Sequence, residues 1–275
     1  VQTRDPAAAM AQVIARHTTP EGVQVCAARG DMCAEECGAV VNAANHFLKH
    51  NGGVAAAIRI ASAPDYQAVS DAWVKANGPL VVGTTAAVTP AGGKLKCKAV
   101  IHVVGPIYRE KLEGELEVQG SILSVSGEEV KMKLEDGAEV GFKIYRTAAG
   151  YELKEGGKVR SLGKMKDGAF AARYVTGVDH SVPRTDEDLL SGAITAALKK
   201  CDEQGLDSIC IPAISSGVFG FPLARCAEVH VESALSYAKV SKNLKKITLM
   251  DFSEAAANAF GDAVGKLTGA EVNKV

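Results

Sequence analysis

The chain has 275 residues, is 47% hydrophobic and 23% charged, and carries a formal net charge of −1. That balance excludes a disordered or collagen-like chain, and the length allows one large domain or two unequal ones. Near-neutrality with only 5% aromatic residues gives no signature of a nucleic-acid binder, so nucleic acid is not an expected partner.

No apolar run reaches the roughly 18–20 residues that span a bilayer, and VQTRDPAAAM lacks the basic start and apolar stretch of a leader. The expectation is an intracellular, monomeric protein, cytoplasmic or nuclear, without membrane contact. Seven cysteines, odd in number and scattered, favour reduced thiols over a disulfide framework. Cys26, Cys33 and Cys37 cluster without the second close pair that zinc sites use, so no metal is expected.

Taken in chain order, Asp5-Pro6 offers a cap and a first-turn proline, and Met10, Val13 and Ile14 share one helical face, predicting a helix to about His17. Strands are predicted at Val23–Ala28 and Ala39–Ala44, the second of the doubly buried kind. Helices follow at Val54–Ser62 and Pro64–Ala76, with the lone Trp73 as a core anchor. Leu80–Gly83 leads into Thr85–Thr89, and the buried strand Ala99–Val104 stops at Gly105-Pro106, with His102 and Cys97 read as core.

The stretch from about Lys111 to Asp179 changes character. Val118–Val125, Glu129–Leu134, Ala138–Ile144, Tyr151–Lys154, Lys158–Leu162 and Ala169–Thr176 are short alternating runs between Gly-containing turns. This reads as a small all-β subdomain, residues 111–180, inserted between two halves of an α/β domain, 1–110 and 181–275. Afterwards the α/β pattern resumes. Thr185–Asp188 resembles a capping box for a helix carrying Leu189, Leu190, Ile194 and Leu198. Strand Ser208–Ile214, helix Leu223–Ala238, strand Lys246–Met250 and helix Ser253–Leu267 complete it. Alternating strands and helices imply a mostly parallel sheet covered on two faces.

Ligands in such sheets bind outside the carboxyl ends of the strands. Five segments fall there: Gly30-Asp31-Met32, Asn42–Asn45, His50–Val54, Ile214–Gly220 and Asp251-Phe252. Two glycine-rich loops would present backbone N–H groups to a pyrophosphate. Known nucleotide motifs do not fit: Val88 and Leu95 break a P-loop around Gly93-Lys94, and GxGxxG is missing. Ala213–Gly217 approximates a nucleophile elbow, making a serine hydrolase built on Ser215 a lesser alternative. Against it, Val218–Pro222 delays the helix, and His230 precedes Asp251, the reverse of the usual order.

GDM, VVNAAN, LKHNGGVAAAI, KAVIHVVGP and IPAISSGVFGFP, in that order, resemble a macrodomain over roughly residues 20–110 and 183–267. The resemblance implies a three-layer α/β/α fold with a mixed, largely parallel sheet and a cleft for ADP-ribose, held as ligand without any cofactor. By motif position it implies that Asp31 accepts from the adenine amino group beside Met32, and that Phe252 packs on the adenine. Gly52, Gly53 and Val54, with Ser215, Ser216, Gly217, Val218, Phe219 and Gly220, would clasp the phosphates; Asn45 would bond the distal ribose and Phe219 pack on it. Asn42 is read as a structural residue bonding nearby backbone.

The implied partner is ADP-ribose, free or as a mono-ADP-ribosyl group on a protein. The alternative is a mono-ADP-ribosyl hydrolase in which Asn45 positions water and His50 assists. Two departures bear on it. Ala55 stands where MacroD-type hydrolases carry Asp, and Asn51 where many members have a third Gly.

Overall fold

The computed structural model describes residues 11–108, 116–126, 129–143, 155–166, 169–177 and 185–275. Two compact units result, Val1–Tyr108 with Asp186–Val275, and Arg109–Thr185. Strands β1 (Gln12–Thr18), β2 (Gln24–Arg29), β3 (Ala39–Ala43), β4 (Ala86–Pro90) and β5 (Ala99–Val103) precede the interruption. Strands β6 (Leu116–Ser126), β7 (Glu129–Leu134), β8 (Glu139–Lys143), β9 (Lys158–Lys166) and β10 (Ala169–Gly177) form the second unit. The first unit resumes with β11 (Ser208–Ile211) and β12 (Lys246–Asp251).

In the first unit the sheet order is β1-β2-β12-β11-β3-β5-β4. The five inner strands run parallel, and β1 and β4 are antiparallel edges. Helices α1 (Gly53–Ala61) and α2 (Tyr66–Asn77) follow β3; α3 (Asp186–Glu203), α4 (Leu223–Ala238) and α5 (Glu254–Thr268) complete the unit. Side chains alternate across each strand, so Val41, Ile101 and Ile211 face Leu190, Ile194, Cys226 and Phe260 of α3 to α5. Their neighbours Val40, Val100 and Cys210 pack with Ile58 and Ala61 of α1 and Tyr66 of α2. Helices on both faces make three layers, α/β/α. Full burial of a side chain such as Ile58 stabilises by about 1.5–3 kcal/mol.

Two expectations are corrected. Residues 12–18 form β1 rather than a helix, although Asp5-Pro6 lies outside the described residues. The register shifts between Val13 and Ala15, and the consecutive Ile14 and Ala15 are both buried, so the strand lacks strict alternation. Strand β11 ends at Ile211 and not at Ile214, because Pro212 offers no N–H and the Ile214 amide turns back to the Pro212 carbonyl at 2.8 Å.

In the second unit, antiparallel strands run in the order β10-β9-β6-β7-β8, and β10 also lies against β8, so the sheet curls on itself. Its own core contains Ile122, Val130, Met132, Phe142, Val159 and Phe170. The predicted run Tyr151–Lys154 lies outside the described residues. Among the described residues no helix is long and apolar enough to cross a membrane.

Candidate functional site

The loops that leave the parallel strands share one edge of the sheet, and register fixes which of them are neighbours. Arg29 pairs with Asp251, and the Gly30 amide donates to the Asp251 carbonyl at 3.1 Å. Asp31 and Phe252 therefore leave adjacent strands at the same level. Asp31 is half-buried, and its Oδ1 accepts from the Cys33 amide at 3.0 Å, capping a single 3-10 turn, Met32–Ala34. Met32 is buried beneath, while the Phe252 side chain stands 50% exposed.

After β3 the chain reaches α1 through a bare turn. Gly52 caps the helix without a side-chain hydrogen bond, and Gly53 sits in the left-handed region at φ 55°. A Cβ on Gly52 would meet no protein atom within 4 Å, so packing does not demand glycine there. The first-turn amides of α1 have no intrahelical acceptors and carry the positive end of the helix dipole. Such an end binds phosphate readily.

A second loop follows β11. The Ile214 amide also donates to His230 Nε2 at 3.2 Å, and Ser216 Oγ donates to the Ala213 carbonyl at 2.8 Å. Phe221 N donates to Ser215 O and Gly220 N to Gly217 O, both at 2.9 Å, curling the chain tightly. Ser215 adopts φ 70°, rare for a residue with a Cβ. The amides of Ser215, Gly217, Val218 and Phe219 have no acceptor among the described residues. Val218 is fully exposed, Phe219 half-buried and Gly220 exposed. Tyr108 fastens the loop from beside β5: its amide donates to Phe219 O at 2.8 Å, and its ring lies 4.9 Å from that of Phe221. Gly105 lets this packing close, since a Cβ there would lie 2.2 Å from Ser215 Oγ.

Asn45 organises the loop between β3 and α1. Its Oδ1 accepts from the amides of Phe47 and Lys49 at 3.1 and 3.0 Å, and its Nδ2 donates to the Lys49 carbonyl at 2.8 Å. The second amide hydrogen has no partner among the described residues.

The sequence matches the family model described as Macro domain over residues 41–125 and 130–230. The chain belongs to the macrodomain family. An uncharacterised protein of Sulfolobus acidocaldarius is 28% identical over 248 residues, 90% of this chain and 94% of the relative. Human protein mono-ADP-ribosyltransferase PARP14 is 32% identical over 246 residues, which are 88% of this chain and 10% of PARP14. Among solved structures, the Oceanobacillus iheyensis macrodomain with ADP aligns at TM-score 0.62 and 19% identity, covering 94% of this chain and 98% of that one. The Trypanosoma brucei macrodomain in complex with ADP-ribose aligns at TM-score 0.54 and 17% identity, covering 88% and 69%. Those likenesses establish the fold.

In this macrodomain His50, expected to assist chemistry, and Asn42, expected to bond backbone, stand differently from those expectations. The His50 side chain is buried, with Nε2 2.8 Å from Ser70 Oγ and Nδ1 3.4 Å from Asn42 Nδ2. A ring occupied at both nitrogens inside the fold has no lone pair or proton to offer a substrate. Burial, and then the Arg59 charge, lower its pKa. Asn42 bonds side chains and not backbone: its Nδ2 also lies 3.0 Å from His102 Nδ1, and its Oδ1 is buried without a partner.

The serine-hydrolase alternative also fails. Ser215 Oγ has no partner, and His230 is committed elsewhere, accepting from the Ile214 amide and donating from Nδ1 to the Cys226 carbonyl at 2.8 Å. Burial holds the His230 pKa down at about 4. Among the described residues no three His, Cys, Asp or Glu side chains come together as metal ligands.

Sequence reading missed Ser70, Gln67, Thr89 and Tyr66, which hold the site from behind. Gln67 Oε1 accepts from the His50 amide at 3.2 Å; Thr89 Oγ1 and Tyr66 OH lie 2.9 and 3.3 Å from His102 Nε2. No spacing in the sequence marks these residues as partners. Trp73 is half-buried on α2 against Leu48 and Leu80.

Proposed function

We propose that this macrodomain binds ADP-ribose, free or as a mono-ADP-ribosyl group on a protein, along the edge where β2, β12, β11 and β3 end. One observation carries the reading: two separate turns, at Gly52–Val54 and Ser215–Phe219, hold backbone amides without acceptors among the described residues at neighbouring strand ends, Ser216 excepted. Two amide-lined turns suit a diphosphate, which needs donors on both phosphates and is held by dipoles without a cation. A net charge of −1 agrees with such a site.

The neighbours of those turns suit the rest of the ligand. Asp31 can only accept, which selects the exocyclic amine of adenine, and a carboxylate accepts several hydrogen bonds at once. Met32 lies beneath it, and the half-exposed Phe252 supplies a face for the base. Asn45 offers its remaining amide hydrogen to the distal ribose, with Phe219 packed on that sugar. No cofactor is needed, since ADP-ribose is itself the ligand.

Binding without turnover is favoured over hydrolysis. Ala55 is buried in α1 and offers no carboxylate, and His50 is engaged at both ring nitrogens. Calorimetry with ADP-ribose, ADP and NAD tests the reading: ADP-ribose binds more tightly than the other two. Equal affinities for all three would remove the distal-ribose contacts from the proposal. A protein carrying ADP-ribose on Asp or Glu keeps its label during incubation; loss of label would establish hydrolysis instead.

A further inference from the structure

The turn at Gly52 and Gly53 is exposed, yet His50, two positions before it, is buried and anchored by hydrogen bonds. Asn42 Nδ2 has two hydrogens and lies within reach of His50 Nδ1 and His102 Nδ1, so it donates one to each. Both imidazoles then accept at Nδ1 and carry their proton on Nε2. His50 Nε2 donates to Ser70 Oγ at 2.8 Å, and His102 Nε2 donates to Thr89 Oγ1 at 2.9 Å. Tyr66 closes the far end, its OH 2.9 Å from Thr89 Oγ1. This string crosses from α2 through β3 and β5 to β4 and works only while both rings are neutral, because an imidazolium turns an N–H toward the N–H of Asn42.

The backbone of His50 is held equally firmly. Its amide donates to Gln67 Oε1 and its carbonyl accepts from Arg59 Nε, both at 3.2 Å. Gln67 also donates to the Leu48 carbonyl at 3.1 Å, and Lys49 Nζ reaches Asp71 Oδ1 at 2.7 Å. Beyond this clamp, Asn51 and Gly52 are exposed and reach α1 without a side-chain hydrogen bond.

We infer that His50 is a positioning residue for the phosphate-binding turn: its neutral ring, strung between Asn42 and Ser70, aims the Gly52 and Gly53 amides, and protonation of the ring releases them. The inference rests on the proposed ADP-ribose site and adds to it a requirement on the state of a residue that never touches the ligand. The charged and titratable groups around the ring are Arg59 from α1, Tyr66 and Asp71 from α2, His102 from β5 and the adjacent Lys49. Burial first, and then the Arg59 and Lys49 charges, oppose a positive charge on the ring while Asp71 favours it, so the neutral ring prevails at pH 7.

The test uses the full chain and its variants His50→Gln and Ser70→Ala. Calorimetry with ADP-ribose should give about tenfold weaker binding for both variants at pH 7. Between pH 7 and 5 the wild-type affinity should fall, whereas His50→Gln, which cannot titrate, should give a flat profile. Without any ligand, the amide NMR signals of Gly52 and Gly53 should follow the protonation of the His50 ring in the wild type and stay still in His50→Gln. Variants that bind like the wild type, or glycine amides indifferent to pH, overturn the inference. A wild type that fails to bind ADP-ribose overturns the proposed function, and the ligand-free glycine signals still decide the role of His50.

Discussion

Three histidines of the α/β unit are buried, and acid should unfold that unit above all through His102 and His230, whose pKa values lie lowest. Burial lowers the pKa of His102 to about 3, with the neighbouring His50 adding to the effect, and lowers that of His230 to about 4 from an ordinary 6.5. The unfolded chain binds these two protons at mildly acid pH and the folded chain does not, so stability is complete above pH 6.5 and falls as the pH drops toward the folded values. Each group contributes about 1.4 kcal/mol per pH unit in that window, which makes the loss between pH 7 and pH 5 about 4 kcal/mol for the pair. Paired carboxylates do not confuse this range. Glu187, held down by its hydrogen bond from Arg225, starts below the ordinary 4.5 and responds only in stronger acid.

Urea titrations at pH 7 and pH 5 measure the difference. The fluorescence of Trp73, the single tryptophan, follows the α/β unit alone because α2 belongs to that unit. His230→Gln keeps an acceptor for the Ile214 amide while removing one titration, and should make the slope of stability against pH shallower. A wild-type stability that changes by less than about 1 kcal/mol between the two pH values would refute the assignment of the buried rings as neutral.

Further outcomes follow from single positions. Asp31→Ala removes a charged acceptor worth about 1.5–3 kcal/mol, so ADP-ribose affinity measured by calorimetry should fall at least about tenfold; an unchanged affinity excludes Asp31 from the adenine site. Gly53→Ala places a Cβ on a left-handed residue at φ 55°, costing about 1–2 kcal/mol of local strain, and should weaken ADP-ribose binding while the Tm drops only slightly. Gly105→Ala drives a Cβ to 2.2 Å from Ser215 Oγ and 2.6 Å from Ile214 Cγ2, so it should lower both Tm and affinity, with about 1–3 kcal/mol lost to overpacking. A Gly105→Ala variant with wild-type melting and binding would show that the loop yields without cost.

Much of this fold could be read from the chain because buried strands and amphipathic helices write their periods into it. Helix Leu223–Ala238 has the same bounds by apolar spacing and by coordinates, and β3 and β5 differ from expectation by one residue at one end. Strand β1 could not be read, since its irregular register buries Ile14 and Ala15 together and erases the alternation that identifies a strand. The amide-lined turns were visible through their glycines. The Asn42, His50 and His102 contacts were not, because polar partners on β3, a loop and β5 meet only after the sheet has formed, and hydrogen bonding between distant residues imposes no period on the sequence. His50 therefore invited an acid–base role that its burial denies.

The interleaved sheet has a consequence for how the chain acquires its structure. Strands β11 and β12 lie between β2 and β3, yet the inserted unit separates them from both in sequence. Until residues beyond 186 are available, β2 and β3 each have an unpaired edge, and Val25 and Val41 lack the α3 to α5 layer that covers them. The inserted strands need no such wait, since most of their pairings are local and they bury a core of their own. On a ribosome the later module thus matures first, while the two sides of the proposed adenine site, Asp31 on one half and Phe252 on the other, are brought together by the last and longest loop closures. Open strand edges during that interval invite pairing with other chains, making yield on refolding more sensitive to protein concentration than final stability would suggest.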